Sequence, residues 1–183
     1  MALTYTPADE LGTQCPDFTL PGTDGKSYSL KDFTNGNPFV IMFICNHCPY
    51  VKAIEDRLIT LGNDLKKKNV SVVAISANDA NTYPDDSFVE LKKRAEYKNY
   101  PFPYLYDESQ SVAKTFGAVC TPDFFVYNKK SQLAYRGRLD DNWKESTNVT
   151  RRELLQAVES LLASDEFPQG QTPSMGCSIK WKK

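Results

Sequence analysis

The sequence contains a single histidine, His47, and only five cysteines in 183 residues, and its formal net charge is −1. Each of these shortages excludes something. One histidine and one close cysteine pair cannot easily supply a four-ligand zinc site with finger-type spacing. Five cysteines are too few, and odd in number, for the disulfide framework of a small secreted domain. Near-neutral charge gives no reason to expect nucleic acid or an anionic membrane as a partner. No apolar run approaches the ~20 residues of a membrane-crossing helix. The N-terminal stretch "MALTYTPADELGTQ" has neither a basic nor an apolar leader region, so no secretory signal is predicted and a cytoplasmic location is expected. There is no G-x-G-x-x-G and nothing resembling a flavin or nucleotide site, so no cofactor is expected.

The residues present, 40% hydrophobic and 25% charged, suit one globular domain over 1–183 that buries its own core. "DFTLPGTDGKSYSL" alternates apolar and polar residues around Asp24-Gly25 and predicts a β-hairpin. "PFVIMFI" (38–44) and "VSVVAIS" (70–76) are continuous apolar runs of strand length, buried on both faces. Between them Val51, Ile54, Leu58, Leu61 and Leu65 recur at helical spacing, and the lysines of 66–68 suit a helix C-terminus. Further helices are predicted at 87–98, over "SQSVAKTFG" with Gly117 as its cap, and at 151–163. "YPFPYLYDE" predicts a short strand, and "DFFVYN" with "QLAYRG" a second hairpin. The tail, 164–183, is rich in Pro and Gly and predicts irregular chain packing on or near the domain. The alternation predicts an α/β fold with a central mixed sheet flanked by helices.

Cys45 and Cys48 form a C-x-x-C at the junction of a buried strand and a helix. Unpaired N–H groups and the positive dipole end meet there and favour thiolate over thiol. That assigns Cys45 as nucleophile and Cys48, placed one turn into the helix, as resolving thiol, with His47 tuning the acidity of Cys45. Zinc binding and inert buried thiols are the competing readings; a closed metal site would have to borrow Cys120 or Cys177. Cys120 is an auxiliary thiol or a small buried hydrophobe, Cys177 a third redox thiol or packing residue of the tail, and Cys15 a cap on the first hairpin. Thr121-Pro122 is a candidate cis bond before a strand, which would leave Thr121 open to pair with an incoming peptide. Arg136, Arg138, Asp140 and Asp141 read as a solvated charge cluster, with a role near the site as the alternative.

At the C-x-x-C and at Thr121-Pro122 the chain resembles the thioredoxin superfamily. "CPDFTLPGTDGKSYSLKDF", "NHCPYVKAIEDRL", "PFPYLYDESQSVAKTFGAVCTPDFFVY", "YRGRLDD" and "PSMGCSIKW" are similar to its redoxin branch, and in particular to the peroxiredoxin-like thioredoxin-family proteins. The resemblance implies a thioredoxin-like fold, with Cys45 matching the nucleophilic or peroxidatic cysteine, Cys48 the resolving cysteine and Pro122 the cis-proline. Two departures count. In the peroxiredoxin pattern P-x-x-x-T-x-x-C, Pro38 is in register but Met42 replaces the threonine, and Phe39 stands where thioredoxins carry a buried acid. The expected function is thiol-disulfide exchange in redox homeostasis, with a protein or small-molecule disulfide as substrate and an external dithiol as reductant. The alternatives are a peroxiredoxin-like thiol peroxidase acting on peroxide, and a non-catalytic redox sensor or binding module.

Overall fold

The computed structural model describes residues 3–7 and 11–183. The N-terminal stretch from which the absence of a signal is predicted includes 1–2 and 8–10, outside the described residues. Among those described, no helix is long and apolar enough to cross a membrane.

The first apolar run forms β4 (Phe39–Phe43) at the centre of a five-stranded sheet. Its residues alternate between two cores, as strand geometry requires. Val40 and Met42 enter one hydrophobic cluster, whereas Phe39, Ile41 and Phe43 enter the other. On one side lies β5 (Ser71–Ser76) and then β6 (Tyr104–Tyr106), both parallel. On the other lies β8 (Asp123–Tyr127), antiparallel to β4, and then β9 (Leu133–Gly137), antiparallel to β8. The sheet is therefore mixed, as expected.

Helix α1 (Pro49–Lys67) leaves the C-terminal end of β4 and lays Val51, Ile54, Leu58, Leu61 and Leu65 on the first cluster. Burying a side chain of this size contributes roughly 1.5–3 kcal/mol. Glu55 lies on the same buried face, and Arg94 (2.7 Å) and Tyr100 (2.6 Å) bind its carboxylate. This pins α1 to α2 (Phe88–Lys98), which covers the same face with α4 (Glu153–Ser164). The opposite face is covered by the hairpin of β2 (Thr19–Pro21) and β3 (Ser27–Ser29), and by α3 (Ser111–Thr115). Gly117, with φ of 63°, reverses the chain after α3.

Four expectations are corrected. The tail is not irregular throughout: Met175–Ser178 is a strand, β10, joined by β1 (Leu3–Tyr5) and β7 (Cys120–Thr121) in a second, three-stranded sheet. Cys48 is not one turn inside α1 but its N-cap residue, because Pro49 opens the helix. Cys15 does not cap the first hairpin; its N–H donates to Ser131 O, at the turn of the second. The charge cluster is not solvated either, since Arg136 and Asp140 are each 5% exposed. Arg136 pairs with Asp123 at 2.8 Å and Asp140 with Arg57 at 2.5 Å.

Candidate active site

The C-terminal end of β4 delivers Ile44 and Cys45 out of the sheet, and α1 begins four residues after Cys45. A cis Thr121–Pro122 bond lies opposite, between β7 and β8. Thr121 Oγ1 is 3.3 Å from Cys45 Sγ, and when protonated Cys48 gives its proton to Thr121 O at 3.2 Å. The structure therefore brings Cys45, Cys48, Thr121 and Pro122 together. Both thiols are buried, Cys45 at 2% exposure and Cys48 at 0%.

Their acidities are opposed. Hydrogen bonding from Cys45 chiefly, then from the Cys177 thiol and the Val51 and Cys177 backbone N–H groups, outweighs burial and holds the Cys48 thiol down to about 5. No close cap bond closes the start of α1, so the Val51 amide acts as a long donor at the positive helix end. Cys45 moves upward instead: burial is the main cause, the hydrogen bond to Cys48 adds to it, and the charges of Asp86 and then Cys48 follow. The two acidities therefore move in opposite directions, Cys48 down and Cys45 up. The helix donors are expected at Cys45 from sequence, whereas the helix begins at Cys48, and Val51 N–H and the Cys177 donors act on that sulfur.

His47 Nδ1 sits 3.9 Å from Cys45 Sγ and 2.5 Å from Asp86 Oδ2, and its ring stacks on Tyr83 with centroids 4.7 Å apart. Asp86 is the residue that the sequence did not single out. It is fully buried and accepts hydrogen bonds from Asn46 N–H (2.7 Å), His47 N–H (3.2 Å) and Asn78 Nδ2 (2.8 Å). Burial alone would raise its pKa, but the bonds from His47, Asn78 and Asn46 hold it below the ordinary carboxylate value. The Cys45–Asn46–His47 loop is therefore fastened to a fixed negative charge. Cys45 Sγ, His47 Nδ1 and Asp86 Oδ2 lie within 4.8 Å of one another and could ligate a metal ion; an ion there would have to displace the Nδ1–Asp86 bond.

The remaining thiols divide. Cys177, on β10, faces Cys48, and burial pushes it up to about 12. Cys120 bonds Pro122 O at 3.6 Å and is pushed up chiefly by burial, then by the charge of Asp123. The Thr121 edge expected to receive a peptide is occupied by β10, with Cys177 opposite Thr121. Met42, where the peroxiredoxin pattern has threonine, is fully buried in the first cluster.

The mixed sheet and its covering helices form a thioredoxin-like fold. A conserved, uncharacterized protein from Geobacillus kaustophilus shares 45% identity, with a TM-score of 0.94 over 100% of this chain and 97% of that one. The thiol-disulfide oxidoreductase ResA of Bacillus thuringiensis subsp. konkukian is 24% identical over 130 residues, 68% of this chain and 67% of its own. A chloroplastic peroxiredoxin Q of Oryza sativa subsp. japonica is 33% identical over 107 residues, 58% of this chain and 45% of its own. Residues 11–136, spanning the hairpin, the cysteine pair, the cis-proline and β9, match the AhpC/TSA family, and the chain belongs to that redoxin family.

Proposed function

We propose that the protein is a thiol-disulfide oxidoreductase in which Cys45 and Cys48 alternate between dithiol and disulfide. The observation that carries this is the pair of buried thiols that both contact Thr121, the residue of the cis peptide bond to Pro122. Cys45 passes its proton to the Cys48 thiolate and attacks one sulfur of a substrate disulfide; the other leaves as thiolate. A mixed disulfide now links substrate and Cys45. Cys48 gives that proton to the first departing thiolate, attacks Cys45 Sγ as thiolate, and the substrate's remaining half departs as the second thiolate. The substrate gains two electrons and the pair becomes a disulfide, which an external dithiol reduces. His47, held by Asp86, orients the loop and sits within reach of the proton shared with Cys45.

Substrate contacts belong beside Pro122, where a cavity of about 160 Å³ is lined by Tyr5, Tyr50, Pro122, Arg138, Trp143 and Met175. Its aromatic walls suit an unfolded or peptide disulfide, and a reducing cytoplasm suits a protein that works as a dithiol. A second reading, peroxide reduction at Cys45, is favoured by one contact: the Thr121 hydroxyl beside Cys45 Sγ stands in for the one missing at Met42.

The test is trapping. In Cys48→Ala, a peptide disulfide is expected to stop at a mixed disulfide on Cys45, identified by mass spectrometry. Capture at another cysteine, or none, contradicts the proposal. Wild-type protein that reacts faster with hydrogen peroxide than with the peptide disulfide would favour the second reading.

A further inference from the structure

The backbone edge beside the cis-proline is filled by the chain's own tail. Strand β10 runs antiparallel to β7, with Cys177 opposite Thr121 and Ser178 opposite Cys120. It is drawn in closely: a Cβ on Gly176 would overlap the Thr121 carbonyl and come within 3.0 Å of Pro122 Cδ. Ser174 Oγ donates to Pro122 O at 2.9 Å, and Ile179 N–H donates to Val119 O at 2.9 Å. The tail is thus clamped on both sides of the cis bond. This is strand addition of the kind that recognises extended peptides, made intramolecular. The residue it presents to the pair is a cysteine. Cys177 is 1% exposed, and both its thiol and its backbone N–H reach Cys48 Sγ, which also bonds Cys45.

We propose that β10 is a built-in substrate strand and that Cys177 is a third redox thiol, which takes over the disulfide from Cys45. The proposal rests on the oxidoreductase reading above. In the step, Cys177 thiolate attacks Cys48 Sγ of the Cys45–Cys48 disulfide. The Cys45–Cys48 bond breaks, a Cys48–Cys177 bond forms, and Cys45 leaves as thiolate and takes up the proton lost by Cys177. No electron enters or leaves, and the chain remains oxidised by one disulfide. After burial, what opposes ionisation of Cys177 is its hydrogen bond to Cys48 and the Cys48 charge. Both disappear once Cys48 is in a disulfide, so Cys177 becomes more acidic at the moment it is needed. The consequence is a sealed disulfide beneath β10 and a Cys45 free to engage a second substrate.

The full-length reduced protein, treated with one equivalent of diamide, alkylated after an acid quench and mapped by mass spectrometry over time, tests this. Cys45–Cys48 is expected first, followed by Cys48–Cys177 with alkylated Cys45. In Cys45→Ala, where diamide must join Cys48 to Cys177 directly, that bond is expected to form at least about tenfold more slowly, because the activated disulfide leaving group is gone. Equal rates in the two proteins overturn the relay. So does a wild-type product that stays Cys45–Cys48 with Cys177 fully alkylated, and this outcome leaves the oxidoreductase reading standing. No disulfide at either pair overturns both.

Discussion

Cys48 and Cys120 are both fully buried and both contact the Thr121–Pro122 segment, yet their surroundings drive them apart. Around Cys48 stand donors: the Cys45 and Cys177 thiols and two backbone N–H groups. Around Cys120 the main effect after burial is the charge of the Asp123 carboxylate, opposed by Arg136. Cys15, in the second core, is likewise pushed up to about 12 by burial. Burial alone raises a thiol's pKa, and donors aimed at the sulfur lower it. The chain thus keeps two kinds of cysteine: Cys45, Cys48 and Cys177, which act on one another, and Cys15 and Cys120, which are raised chiefly by burial.

The largest effect expected from breaking this contrast is on turnover. Cys45→Ser should reduce disulfide exchange to the uncatalysed background, whereas Cys15→Ala should leave the rate within about twofold. The cost of Cys15→Ala is instead in stability, about 1 kcal/mol for the small cavity, read by denaturant unfolding. An equal loss of turnover in both variants would erase the distinction.

Gly176→Ala attacks the donors without touching a thiol. Its methyl group would collide with the Thr121 carbonyl, so β10 must withdraw at a cost of about 1–3 kcal/mol. Removing the Cys177 donors should also raise the Cys48 pKa. Paired unfolding and thiol-titration curves check both effects, and an unchanged titration would mean that β10 contributes nothing to the charge on Cys48.

Asp86→Asn has a smaller expected cost, about 1–2 kcal/mol, since the amide keeps one acceptor for the loop N–H groups. The pH dependence gives its signature. The folded pKa of Asp86 lies below the ordinary 3.8, so its stabilisation is complete above that value and is lost as pH falls through the folded pKa. Wild-type protein should therefore lose its advantage over Asp86→Asn in acid, as measured by unfolding across that range. A constant difference would contradict the assigned ionisation.

Much of the fold is legible because apolar runs of strand length and helical spacing mark β4, β5, α1 and the second hairpin without ambiguity. The second sheet leaves no such mark. "MGCS" has no alternation and lies in a stretch rich in Pro and Gly, and its partners Leu3–Tyr5 and Cys120–Thr121 are remote in sequence. The cysteine pair is legible from spacing alone, but its distribution of charge depends on whether the helix starts at Cys48 or before it. Asp86 is hidden for a related reason. In "YPDDS" it reads as an exposed turn residue, and its burial comes from backbone N–H groups 39 and 40 positions earlier. The adjacent acids before a helix were the one available signal.

The central claim, that Cys48 rather than Cys45 holds the resting charge, is tested most directly by following thiolate ultraviolet absorbance against pH in reduced wild-type protein and in Cys48→Ala. The account requires one thiolate to appear with a midpoint displaced from the ordinary 9.0 to about 5, and to be absent from the variant. The stability it confers is full above 9.0 and falls away as pH drops toward about 5. A low-midpoint thiolate that survives in Cys48→Ala would place the charge on Cys45 and contradict the account.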